Sequence, residues 1–296
     1  MKFSAKRKVL DKLSFAAFVA PAITSISVFV AIPFLMCIYY SFRKWNGIGK
    51  SSVFIGLQNY LQLFTNDTIF KGAFFYSITY TVLVVLLVNI LALLIALLLE
   101  SNIRGKGFFR TSFYIPNIIS LIVIGFVWKF IFGRVFDSLY EVTNLPVFGW
   151  SWLGDRNIAV ISTIIVSVWQ GLGFYMIIYI AGLQSVPRSI LEAAIIDGAG
   201  SVQRFFHVVL PLIMPSIAVC TFYSMSNSLK MFELIFSLTG GGPGTATTPI
   251  ALDIYNTVFN NNQFGYGSAK SVVLFLLVAL ITIWQVTVLK RKEVEA

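Results

Sequence analysis

Charge is what this 296-residue sequence has least of. Asp, Glu, Lys and Arg together make up 11% of it, where a soluble domain carries about 25%. A water-soluble fold this poor in charge has no surface to present, which excludes an ordinary soluble enzyme or carrier. Cysteine is down to Cys37 and Cys220, both inside apolar runs. A disulfide framework is thereby excluded, and the two read as small buried hydrophobes. His207 is the sole histidine, too few for a zinc site with the ligands visible. The glycine-rich run 240–244 lacks the following Lys-Ser/Thr that would reach phosphate and magnesium. The acids are scattered along the chain, so no catalytic residue and no metal site is assigned, and no cofactor is expected within it.

What remains is oil. Hydrophobic residues are 57% of the chain and the mean hydropathy is +0.84. About 20 helical residues cross the roughly 30 Å of a bilayer core. Six runs of that kind are predicted, at 15–42, 72–99, 111–133, 158–180, 210–236 and 267–289. The fold class is therefore an all-α membrane protein with six transmembrane helices. Lys2, Lys6, Arg7, Lys8 and Lys12 before Phe15 imitate a signal peptide. The apolar run that follows is too long for one and has no small-residue cleavage site, so it reads as a retained first span. Residues 1–14 and 291–296 are then tails around one membrane domain, 15–290. Segment 43–70 reads as an exposed loop with a short interfacial helix near 57–64, and the glycine-rich run lies in a flexible loop.

The net charge of +10 sits mostly in short segments between the apolar runs, as topology signals do, and not as a nucleic-acid patch. Lys2 to Lys12, Arg104, Lys106, Arg110, Arg188, Arg204, Lys290, Arg291 and Lys292 fall on one side. Arg43, Lys44, Lys50, Lys71, Arg134 and Arg156 are spread over longer loops on the other. The denser side is expected inside, with both termini cytoplasmic. Trp45, Trp128, Trp150 and Trp152 lie near span ends and read as interface anchors.

Segment 185–209, between the fourth and fifth spans, reads as a cytoplasmic helix-turn-helix. Either Pro187 opens its first helix or Ser189 and Glu192 form a capping box; only one start can hold. Gly198 and Gly200 suit a stop and a turn, and Ser201 suits the cap of a second helix. Pro211 and Pro215 bend the entry to the fifth span. Such an element either docks a soluble partner or lies on the membrane surface.

Glu192, Ala193, Ala194, Gly198, Leu210 and Pro211 stand in the order and spacing of a known motif. The segment resembles the EAA motif of bacterial ABC-type import permeases. FIGLQNY at 54–60, RTSFYIPNIIS at 110–120 and LTGGGPGTATTP at 238–249 resemble the carbohydrate-uptake branch, over roughly 12–290. The resemblance implies a coupling helix seated in a cleft of an ATPase subunit. Glu192 would pair with a basic group there, Gly198 would make the turn, and Asp197 and Arg204 would add polar contacts. It further implies a bacterial inner (plasma) membrane location and a sugar as substrate. A second, different permease chain would complete the pore. Two cytoplasmic ATPase subunits would bind ATP and magnesium, and an outer solute-binding protein, which the glycine-rich loop could touch, would deliver the solute. The Asn66-Asp67-Thr68 sequon carries no weight in a bacterial family.

Inside the membrane, Tyr223, Ser224, Asn227, Ser228, Lys230 and Glu233 form a polar group on the fifth span. Lys230 and Glu233, three apart, would share a helix face and pair. Hydroxyls, amides and aromatic rings suit a sugar path, whereas small polar residues also serve as packing glue. Asn89 reads as an interhelical hydrogen bond, and Trp169, Gln170 and Tyr175 carry the same double reading. Gly171 and Gly173 permit close packing. Glycerol phosphate or a polyol is the alternative solute. A secondary transporter is the alternative mechanism, but neither an ion site nor a repeat is evident.

Overall fold

The structure is a computed structural model that describes residues 15–49, 51–101 and 103–290, with side chains through Thr287. The expected tails 1–14 and 291–296 lie outside it, and with them most of the basic residues on which the topology argument leans. Helix α1 spans Phe15–Ser41. A π-turn at Ser27–Ala31 precedes Pro33, whose missing N–H disturbs the regular ladder one turn back. Strands β1 (Arg43–Lys44) and β2 (Val53–Phe54) then pair antiparallel, Arg43 opposite Phe54. Helix α2 is Gln58–Thr65, close to the short helix expected there.

Helix α3, Thr68–Glu100, starts earlier than hydropathy suggested because the Asp67 side chain caps it, accepting from the Phe70 amide at 2.8 Å. Helix α6, Arg156–Gln184, is capped in the same way by Asp155. The third span is not the single helix expected at 111–133. It is α4 (Lys106–Ile118) and α5 (Leu121–Thr143), bent by 99°. Pro116 near the end of α4 removes a ladder donor, and Ile119 and Ser120 are extended.

After α6 come α7 (Arg188–Ile196) and α8 (Ser201–Leu212). The fifth span is likewise broken. It bends by 69° from α8 into α9 (Met214–Leu229), between Pro211 and Pro215. Helix α9 stops at Leu229, short of the expected 236, and α10 (Glu233–Leu238) is separate. Helix α11 (Ile250–Tyr255) and α12 (Phe264–Lys290) complete the chain. Four helices are long and apolar enough to cross a membrane alone, and the two bent pairs bring the total to six.

Two compact units divide the chain. One comprises the described residues through Asn66 with Ile254–Val273, and the other Asp67–Asp253 with those from Leu274 onward. The core of the second unit is laid down by α5, α6 and α10. Ile124, Phe132, Trp152, Val166, Leu234 and Leu238 are buried together. Trp152 stacks on Phe132 at 5.0 Å and donates from Nε1 to the Val147 carbonyl at 2.9 Å. It is thus a core residue and not the interface anchor its position suggested. A polar seam joins α3 to α6, with Tyr76 to Thr163 at 3.0 Å and Tyr80 to Ser167 at 2.5 Å. Hydrophobicity gives two apolar helices no mutual attraction in lipid, so hydroxyl pairs and close contacts do that work.

The glycine-rich run folds back on itself. Thr247 is fully buried and donates to the Gly242 carbonyl at 2.6 Å, and Thr248 donates to the Gly241 carbonyl at 3.0 Å. Gly240, Gly241 and Gly244 occupy the left-handed region that the fold-back needs. The Ile250 amide then donates to Ser77 on α3.

Candidate functional site: an exposed coupling element and a polar cavity

Pro187 occupies the N-cap of α7 and Arg188 is its first residue. The proline start therefore holds, and the Ser189–Glu192 capping box does not form. At the other end the Ala199 amide donates to the Ala194 carbonyl at 3.0 Å and the Gly198 amide to the Ile195 carbonyl at 3.0 Å. With Gly198 at φ +76, these two bonds make a Schellman stop. Gly200, not Ser201, is the N-cap of α8; Ser201 is its first helical residue and makes no capping bond.

No residue of α7 is buried. Ile195 is 55% and Ile196 86% exposed, and Glu192, Ala193 and Asp197 are exposed beside them. Arg204 lies in α8, half-buried, with a marginal 3.5 Å contact to Ser201. Glu192, Ala193, Ala194 and Asp197 thus share one exposed helix and its C-cap, with apolar side chains among them. Its root is tied down. Gln184, the last residue of α6, donates to Glu100 at the end of α3 at 3.3 Å, and Arg110 of α4 pairs with the same carboxylate at 3.3 Å.

On α9 the polar residues separate by role. Ser224 is 1% exposed and accepts from Asn89 Nδ2 at 3.0 Å, while Tyr179 donates to Asn89 Oδ1 at 2.6 Å. Asn89 is the interhelical bond expected of it, and it takes Ser224 out of the path group. Tyr223, Asn227, Ser228, Lys230 and Glu233 all line one cavity of 610 Å³. Tyr114 and Asn117 of α4 and Ser167, Gln170 and Tyr175 of α6 line it too. The break between α4 and α5 opens onto it through Ile119, and the gap between α9 and α10 through Lys230 and Met231. Irregular backbone at membrane depth is tolerated where it faces such a space. Lys230 and Glu233 do not pair, since α9 ends at Leu229 and leaves Lys230 in the turn before α10, which Glu233 opens.

Tyr114 and Asn117 were missed by sequence reasoning because they sit before a break that hydropathy does not register. Gly173 brings their helix close: a Cβ there would strike the Phe113 carbonyl. Trp169 packs edge-on to Trp128 at 5.4 Å and stays outside the cavity.

Residues 88–294 match the family of binding-protein-dependent transport system inner membrane components. The chain belongs to that family. Among its relatives, this permease is 41% identical to the probable starch degradation products transport system permease protein AmyD of Thermoanaerobacterium thermosulfurigenes, over 94% of each chain. It is 35% identical to the multiple sugar-binding transport system permease protein MsmF of Streptococcus mutans, over 97% of this chain and 99% of that one. Its fold matches a chain of a bacterial ABC transporter involved in import of the acidic polysaccharide alginate. That match has a TM-score of 0.83 at 20% identity, over 97% of this permease and 99% of that chain. The permease is thus a multi-pass membrane component of an ABC importer. Helices α7 and α8 fall within the matched residues, as does the cavity lining apart from Val84.

Proposed function

We propose that this chain forms half of the pore of an ATP-driven importer for a neutral sugar or oligosaccharide and takes its driving force through segment 185–209. The observation that carries this is continuity. A rigid, unburied helix closed by Gly198 leads through α8 directly into α9, whose far end lines the polar cavity. A push on α7 therefore arrives at Tyr223, Asn227 and Ser228. The push would come from two cytoplasmic ATPase subunits, which hold the ATP and magnesium. Glu192 would pair with a cation in the ATPase cleft, with Asp197 and Arg204 at its edge, while Ala193 and Ala194 allow close approach. This places α7 and both termini in the cytoplasm of a bacterial cell with the chain in its inner or plasma membrane. A second permease chain completes the pore as a heterodimer, and an outer solute-binding protein delivers the solute. The chain itself catalyses nothing.

The cavity chemistry supports the sugar. Its lining carries hydroxyls, amides and several aromatic rings, with Lys230 and Glu233 as its only charges. One positive and one negative charge give no net field for a phosphate, which disfavours the glycerol phosphate alternative. The test is reconstitution of the importer in vesicles with a panel of sugars, polyols and glycerol phosphate. Glu192→Arg and Gly198→Val should abolish uptake while the ATPase runs uncoupled or falls silent. Full coupled uptake in both variants, or uptake that ignores ATP and follows an ion gradient, would overturn the proposal.

A further inference from the structure

The unit built from the described residues through Asn66 and Ile254–Val273 contains a second cavity, of 730 Å³. Its floor is anchored. Asn59 is 5% exposed and donates from Nδ2 to the Ser41 carbonyl at 2.8 Å and the Arg43 carbonyl at 3.1 Å. Arg43 in turn clips Ser52 across the β1–β2 pair at 2.9 Å. One wall is Trp45, whose ring stacks on Tyr40 at 4.2 Å and 17° and whose Nε1 donates to the Gly49 carbonyl at 3.2 Å. The ring is held in place before any ligand arrives.

Around this fixed frame Gln58, Gln62, Asn262 and Gln263 converge on the same space. All four are solvent-exposed and none of their amide side chains makes a hydrogen bond within the described chain, so all four are open to a ligand from solvent. Asn262 is held at φ +53, the left-handed region, at the turn that presents it. Among the described lining residues Lys44 is the only charged one, and none is a carboxylate. Amides donate and accept side by side, which matches the adjacent hydroxyls of a sugar ring, and Trp45 supplies a fixed flank. A docked peptide would call for deep apolar slots, and here Val53 and Ile55 are the only aliphatic lining residues.

We propose that this cavity is a binding site for a neutral oligosaccharide, separate from the membrane cavity. The choice of a sugar over other hydroxyl-rich ligands rests on the importer reading above. The experiment uses the assembled importer in nanodiscs without its solute-binding protein. Binding of linear glucan, galactan and mannan oligosaccharides, two to six units long, is followed by saturation-transfer NMR and by tryptophan fluorescence. At least one series should bind, and Gln58→Ala with Gln62→Ala should weaken it roughly thirtyfold, the scale of losing two hydrogen bonds near 1 kcal/mol each. Asn227→Ala in the membrane cavity should leave that binding in place.

Absence of binding to the wild-type assembly would overturn the site. So would binding that Asn227→Ala removes and the glutamine variants spare, an outcome that leaves the importer reading standing. In a second measurement the solute-binding protein is added back to the Gln58→Ala with Gln62→Ala importer and ATPase stimulation is read; weaker stimulation for every sugar alike, with direct sugar binding unchanged, would overturn the site and make the surface a protein dock.

Discussion

Gly173 and Asn89 show how single residues set the spacing of the membrane helices. A side chain at Gly173 would run into the backbone of Phe113 and Tyr114, and backbone cannot move aside as a flexible side chain can. Gly173→Val should therefore lower the thermal stability of the detergent-purified protein, by about 1–3 kcal/mol as an overpacking substitution. It should also misplace Tyr114 and Asn117 in the cavity. Asn89→Leu leaves Tyr179 and Ser224 without their partner, and should cost about 0.6–1.7 kcal/mol, the measured range for interhelical hydrogen bonds in membranes. An unchanged melting temperature in either variant would contradict these contacts. Asn89 was legible as an interhelical bond because a lone amide in an aliphatic helix has few other uses. That it recruits Ser224 was not legible, because the contact lies 135 positions away in sequence.

The elements around α7 raise a different expectation. Glu100 binds Arg110 and Gln184 at once, and so links the ends of α3 and α6 to the start of α4. The pair is about one-third exposed, so its worth to stability is small, under about 1 kcal/mol. Its consequence should lie in transmission. Glu100→Gln should leave folding nearly intact and lower the sugar carried per ATP hydrolysed, because the root of α7 is no longer braced. Equal ratios in the variant and the parent would show that this junction transmits nothing. The turn after α7 was readable in advance, since Gly198 sits where only glycine enters the left-handed region without strain. The third and fifth spans were not readable as broken helices. Prolines in their sequence permit a bend, but its angle depends on what packs across it, here α10 against α5 at Gly125.

For the whole molecule, the outward surface makes the prediction. Most of α1 is exposed, including Phe18 at 91% and Phe29 at 77%, so this surface needs lipid or another chain. The purified chain should show no ATP hydrolysis alone. Activity should appear only on co-assembly with ATPase subunits and rise further with a loaded solute-binding protein. Cross-linking from cysteines placed in α1 should capture a second permease in the assembled complex. ATPase activity from this chain alone would refute the division of labour proposed here.

The membrane class, the number of apolar spans and the exposed helix-turn-helix were determined by the sequence alone. Each rests on local quantities: run length, charge density, and a glycine at a forced turn. The cavity was decided by tertiary structure. Which polar residues face it depends on where α4 and α9 stop, and on which hydroxyls are taken up in helix contacts. Ser224 and Ser228 are alike in composition and four apart in sequence, yet one is bonded to Asn89 and the other lines the cavity. Only the packing of distant helices separates them, because in lipid a polar side chain's role is set by the partner it finds.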